Sequence, residues 1–529
     1  MFTREDYFKN LGFKCDPFAS TNAEFEEFLY DYFIDPPYFS SLIGSLDRPK
    51  TSIVIAPRGF GKTAQRKMLE NLAANNNGEL ICIVYDNFPI EGVSDVKKVT
   101  FQDHLKRIIK SLLVAFLSQL YMNEDVIKFE EYERKILLHL IQKNLCKITT
   151  SEITQAINSI KGVRGKLFDI WLVAAKPITS IINHILKKHS LGSVDLSLDI
   201  NQDENYLTDI EIINFIEKLF EKMGTKAIFI LVDKVDENSL TGNDSNASYK
   251  LIKPLIRDLT LLERRRIVFK FFIWDKLTEH WSDDIRLDRI ENFSLSWRKQ
   301  QIRDMINKRL SVLSDYRINS LSQILDCDES ILNSIMLFSN NSPRDMINIL
   351  KCIFDIQINR ANDISSIPSK QEIMEGIDKF CENKFHEIVT DKTQKANLKR
   401  LKLATFTISL LSNDIFKVNE NSIRNIIMPW TRSGIVITLA NKVRLQKNKR
   451  PVNLYTFNDI RIARYVCANQ KLEDFIKRNI VPCNECDKIN VFDKYNRYGL
   501  VEFICPKCQN VINLTNTASN SRVPAGGAR

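Results

Sequence analysis

Lys62 and Thr63 end the run Ala56-Pro57-Arg58-Gly59-Phe60-Gly61-Lys62-Thr63, which follows the apolar stretch Ser52-Ile53-Val54-Ile55. Glycines in such a turn let backbone N–H groups curl round a polyphosphate. A lysine at this spacing reaches the β- and γ-phosphates, and the adjacent hydroxyl can ligate Mg²⁺. Arg58, Gly59, Phe60, Gly61, Lys62, Thr63 and Ala64 therefore form a candidate phosphate-binding loop for a nucleoside triphosphate. The usual pattern opens on Gly, where this chain has Ala56, the smallest replacement. Ala64-Gln65-Arg66-Lys67-Met68-Leu69 reads as the start of a helix, which gives the strand–turn–helix setting the motif needs. The competing reading is a Gly-rich turn that binds nothing.

A triphosphate site also needs carboxylate. Ala227-Ile228-Phe229-Ile230-Leu231-Val232-Asp233 reads as a buried parallel strand with an acid at its C-terminal end, where ligands bind in open α/β sheets. Thr63 and Asp233 are the expected Mg²⁺ ligands, and either Asp236 or Glu237 the group that positions the attacking water. Arg266 to Ile273 reads as a third strand beside the second. It would bring Asp275 near the γ-phosphate, although Asp275 reads equally well as an ordinary loop acid.

A second constellation lies near the C-terminus. Cys483-Asn484-Glu485-Cys486 and Cys505-Pro506-Lys507-Cys508 are separated by eighteen residues. Two Cys-x-x-Cys knuckles at that spacing make a closed four-thiolate Zn²⁺ site, structural rather than catalytic. The strands of a zinc ribbon are expected at 490–492 and 500–504. A redox dithiol pair is the alternative. Cys15, Cys82, Cys146, Cys327, Cys352, Cys381 and Cys467 are scattered and read as small buried apolar residues.

The elements that must hold these residues follow from composition and periodicity. The chain has 529 residues, 44% hydrophobic and 26% charged, as a folded multidomain protein requires. No apolar run approaches the ~20 residues that span a bilayer, and no signal-peptide pattern opens the chain. No membrane association and a cytoplasmic location are expected. The fold class is α/β: a phosphate-loop parallel-sheet core over 1–295, with a helical insert at about 100–205 marked by Leu105, Ile108, Ile109, Leu112 and Leu113. A helical lid and connector is expected over 296–394. Pro343 and Ser342 signal the start of a helix there, with Arg344 in its first turn.

Net charge is +10, but residues 395–480 hold 17 Lys and Arg against 5 Asp and Glu, leaving the rest near −2. A helix over Leu398–Leu411, a second from Asn421, and a basic loop before the strand Pro451–Phe457 read as a winged helix. Its wing would carry Lys442, Arg444, Lys447, Lys449 and Arg450. Basic residues there bind phosphate with little sequence information. A nucleic acid, DNA before RNA, is the expected partner of 395–480. Protein contact or packing is the competing use. The cysteine module occupies 481–514, and 515–529 reads as a disordered tail.

In this order, phosphate loop, Asp-x-x-Asp-Glu strand, sensor-like strand, Leu295-Ser296-Trp297 and Ser342-Pro343-Arg344, the chain resembles the AAA+/STAND ATPases. The resemblance is to the initiator-like branch and to bacterial P-loop ATPases of anti-phage and conflict gene clusters. It implies ATP hydrolysis with Mg²⁺, a sensor role for Arg344 at the γ-phosphate, and an arginine finger at Arg289, with Arg286 behind it. It further implies homo-oligomers that place that finger in trans. Asn10 to Phe18 and Asp35 to Phe39 resemble the segment that lies against adenine in this class, though their aromatics read equally as core. Lys234 stands where AAA+ proteins carry Glu, and the acidic pair three and four residues after Asp233 is the STAND arrangement. Two functions are implied. One is a nucleic-acid-associated switch or motor, plausible in anti-phage defence. The other is a signal-sensing, oligomerising switch that regulates an effector protein without nucleic acid.

Overall fold

The computed structural model describes residues 3–514 except 124–126, 146–147, 164–177, 197–206, 282–284, 361–362, 445–449 and 497. They group into two compact units. One is Asn22–Trp297. The other joins the residues up to Thr21 with those from Arg298 on. Cys146, Lys447, Lys449 and the expected tail 515–529 lie outside the described residues.

The first unit is built on a six-stranded, mostly parallel sheet. Its strands are β1 (Ser52–Ala56), β2 (Leu80–Tyr85), β3 (Ile160–Lys161), β4 (Ala227–Val232), β5 (Ile267–Trp274) and β6 (Glu291–Ser294). They lie in the order β3-β2-β4-β5-β1-β6, and only β3 runs antiparallel to its neighbour. β2 and β4 are buried along their whole length, which explains their unbroken apolar runs. Side chains alternate between faces. Ile53, Ile81, Ile228 and Phe269 enter one apolar cluster, and Val54, Cys82, Phe229 and Phe272 enter another with Leu69 and Ala73 of helix Lys62–Ala74.

The segment after β2 is helical, as its periodicity predicts: Phe101–Met122, Glu131–Leu145, Thr150–Ser159 and Ile178–Lys188. It does not build a core of its own. Leu105, Ile108, Leu112, Leu137, Ile141 and Ile182 share one cluster with the sheet residues. Amphipathic helices bury their apolar stripe on the nearest apolar face, and here that is the sheet.

In the second unit, Phe13 and Phe18 are core. Both pack with Phe8, and Phe18 also stacks on Phe354 of helix Pro343–Arg360 with ring centres 5.3 Å apart. Helix Pro343–Arg360 starts where predicted, its Asp345 N–H donating to the Ser342 hydroxyl at 3.2 Å. The single helix expected over Leu398–Leu411 is instead broken. Helix Lys392–Leu401 stops at Lys402, whose φ of 50° is left-handed, and β7 (Thr405–Phe406) intervenes before the next turn at Ile408–Leu410. Pairing of β7 with a later strand replaces the helical hydrogen bonds. β8 (Val436–Val443) and β9 (Val452–Phe457) form an antiparallel hairpin, giving a β7-β9-β8 sheet behind helix Glu420–Arg432.

Two ribbons close the described chain: β10 (Ile480–Pro482) with β11 (Ile489–Val491), and β12 (Glu502–Ile504) with β13 (Val511–Asn513). Their Phe492 and Phe503 pack in one cluster with Leu439, Val443 and Leu454 of the β8–β9 hairpin.

Candidate functional site

Parallel strands bring their C-terminal ends to one edge, and the candidate residues from β1, β4 and β5 gather there. The turn after β1 passes through Gly59 at φ 80° and Gly61 at φ 93°, a region costly for any residue with a Cβ. Helix Lys62–Ala74 opens directly behind it. Lys62 Nζ donates to the carbonyls of Ala56 at 2.8 Å and Pro57 at 3.0 Å. Burial pushes the Lys62 ammonium pKa down, opposed by Asp236, Asp233 and Asp275. Those three acids follow β4 and β5, so the charge of three carboxylates acts on one half-buried ammonium.

Asp233 is 2% exposed and fully engaged. Its Oδ1 accepts the Lys234 N–H at 2.9 Å. Its Oδ2 accepts the Thr63 hydroxyl at 3.1 Å and Arg66 Nε at 2.9 Å. A hydroxyl and a guanidinium thus converge on one carboxylate oxygen of Asp233. Arg66 also pairs with Glu70 and Glu24. Lys234, at φ 57°, reaches Glu24 at 2.7 Å and Asp86 at 3.6 Å. Burial raises the Glu24 carboxyl pKa, but Arg66, Lys234 and Lys67 outweigh it and the net shift is downward. Sequence reasoning missed Arg66 and Glu24. The i,i+4 spacing of Arg66 and Glu70 was the available signal for the first, and nothing local marks the second.

The acidic pair divides. Asp236 is 6% exposed and accepts Arg58 Nε at 2.5 Å, while its carbonyl accepts Arg58 Nη2 at 3.2 Å. Glu237 is solvent-exposed. Asp275 is half-buried, and burial raises its carboxyl pKa against the pull of Lys62. The Trp297 indole, following β6, donates to the Phe60 carbonyl at 2.9 Å and so braces the loop from the other side. Tyr38 stacks on Phe293 with ring centres 4.9 Å apart and donates to Gln65, while Phe39 is buried core.

The arginines are placed differently. Arg289 pairs with Glu263 at 2.7 Å. Glu263 precedes β5 and Arg289 precedes β6, so both stand at the strands' N-terminal edge. The eight residues of β5 put roughly 25 Å between that edge and the one carrying Lys62. The chain therefore does not bring Arg289 to its own loop. Arg286 pairs with Asp288 in the same turn. Arg344 is exposed on the first turn of helix Pro343–Arg360.

Cys483, Cys486, Cys505 and Cys508 place their four Sγ atoms within 4.8 Å of one another. Cys483 and Cys508 are 3.5 Å apart, and Cys486 and Cys505 3.7 Å. A tetrahedron with metal–sulfur bonds of about 2.3 Å has edges near 3.8 Å, so the donor set fits a metal such as Zn²⁺. Of the other described cysteines, Cys82, Cys381 and Cys467 are buried as expected, Cys327 and Cys352 are half-buried, and Cys15 is exposed.

Lys442, Arg444 and Arg450 are exposed at the β8–β9 turn. Two cations of the basic segment, Arg461 and Arg464, are buried. Arg461 is held by Asp459 and Asp345, and Arg464 by Asp378. No helix among the described residues is long and apolar enough to cross a membrane. No protein-family model matches the chain, and no curated protein matches it.

Proposed function

We propose that this chain is an ATP-binding and ATP-hydrolysing enzyme of the AAA+/STAND kind, acting in association with nucleic acid. The observation that carries the proposal is the Thr63–Asp233 hydrogen bond at 3.1 Å beside a lysine that opens a helix behind two positive-φ glycines. In this reading the loop Arg58–Ala64 wraps the phosphates, and Lys62 neutralises the β- and γ-oxygens. Thr63 and Asp233 would hold Mg²⁺, which would supply further neutralisation of phosphate charge. Asp236 or Glu237 orients a water against the γ-phosphorus. The bond to the β–γ bridging oxygen breaks, ADP leaves, and the water's proton passes to carboxylate or solvent. Arg344 senses the γ-phosphate. Arg289, remote from its own loop, serves a neighbouring subunit of a homo-oligomer.

The C-terminal parts are read as a winged helix, from helix Glu420–Arg432 and the β8–β9 hairpin, followed by a zinc ribbon on the four cysteines. Lys442, Arg444 and Arg450 supply phosphate contacts. The test is ATP turnover with and without duplex DNA, in wild type and in Lys442→Glu/Arg450→Glu. DNA is expected to raise turnover in wild type and not in the variant. Turnover indifferent to DNA in both would favour the second reading, a switch whose helical segment after β2 meets an effector protein.

A further inference from the structure

Arg58 has no role in the loop motif beyond its backbone, yet its side chain carries a half-exposed cation at the site. Its guanidinium lies over the Trp274 ring, 4.2 Å from the centroid. Trp274 is the last residue of β5 and pairs in register with Ala56, so the ring forms a floor beneath the turn that Arg58 belongs to. A flat guanidinium on an indole is held in plane while its N–H groups stay free to point sideways. They point at Asp236, whose carboxylate and carbonyl they both engage. The Arg58 side chain is 32% exposed, whereas that of Asp236 is 8%. Asp236 is thus the more deeply buried partner and Arg58 the one on the solvent side. Arg58 also lies near enough to Lys62 for its charge to act on that ammonium.

We propose that Arg58 is an internal reader of the γ-phosphate, which exchanges Asp236 for phosphate oxygen when a triphosphate rather than a diphosphate fills the loop. Guanidinium can grip two oxygens of a phosphate at once, replacing the carboxylate oxygen and the carbonyl of Asp236 that it now engages. The exchange leaves Asp236 without its cation, a carboxylate beside the γ-phosphate and able to orient water. Trp274 holds the arginine plane in both positions. The inference rests on the ATPase reading above and adds to it the residue that tells ATP from ADP.

The test is affinity for ATP and for ADP, measured separately by displacement of a fluorescent nucleotide. Wild type, Arg58→Ala, Arg58→Lys and Asp236→Asn are compared, with Lys62→Ala as the control for the loop itself. Arg58→Ala should weaken ATP 10- to 100-fold and ADP less than threefold. Arg58→Lys should fall between. Asp236→Asn frees the arginine in advance and should tighten ATP relative to ADP. Trp274→Phe should abolish the ATP-specific part of the change in intrinsic tryptophan fluorescence. An unchanged ATP-to-ADP ratio in both Arg58→Ala and Asp236→Asn overturns this inference and leaves the ATPase reading standing. Wild type that binds neither nucleotide overturns both.

Discussion

Lys270 stands in the middle of β5, where an apolar residue is the rule, and is 1% exposed. Its ammonium donates to the carbonyls of Leu42 at 2.6 Å and Lys50 at 2.8 Å and lies over the Phe229 ring. It therefore ties the chain before β1 to the sheet. Burial lowers its pKa to about 8. A base whose folded pKa lies below its unfolded value binds fewer protons in the folded state across that interval. Stability from this group accordingly rises as pH climbs from about 8 to the ordinary lysine value, by on the order of 3 kcal/mol at most. Lys270→Met should flatten that rise, read as the difference between the two proteins' urea midpoints from pH 7.5 to 10.5. A variant with the wild-type slope would show that the ammonium is solvated. At this scale the sequence is legible where partners are neighbours in the chain. Lys62, Thr63, Asp233 and the four cysteines stand in contiguous motifs. The Arg58–Asp236 and Arg66–Glu24 pairs join residues 178 and 42 positions apart, and no spacing rule reaches that far.

At the scale of elements, apolar patterning located β1, β4 and β5 as largely apolar runs, and Ser342-Pro343 marked the start of helix Pro343–Arg360. Patterning failed over Leu398–Leu411, where the apolar spacing continues through the turn at Lys402 but the backbone does not. Sheet order was not legible beyond the pairing of β4 with β5, because pairing depends on which faces other elements cover. The cysteine ribbons combine both lessons. Their ligand spacing was plain, while their sharing of Phe492 and Phe503 with the β8–β9 hairpin was not. Ribbons of three-residue strands bury too little to fold alone, so a metal should supply the balance. The purified chain should carry one zinc, lost in Cys505→Ser. Chelation should abolish amide-exchange protection over 480–514 and spare β1, β4 and β5. Metal-free protein with those amides still protected would show that packing on the hairpin suffices.

Across the whole molecule, charge is distributed by use. The chain carries +10, concentrated in 395–480. Part of that excess, Arg461 and Arg464, is consumed in internal ion pairs. Among the described residues, Lys442 near the end of β8, Arg444 just after it and Arg450 just before β9 reach solvent, and a nucleic-acid contact made there should weaken with salt. The sheet unit instead turns charge inward, in the pairings of Arg66 with Asp233 and Glu24 and of Arg58 with Asp236. Such an arrangement suits a group that brings its own negative charge and displaces some of these pairs. The most direct measurement is phosphate release from ATP with Mg²⁺ by wild type and Lys62→Ala at equal concentration. The account predicts steady release by wild type and at least a hundredfold less from the variant. Equal release, or none from either protein, would contradict it.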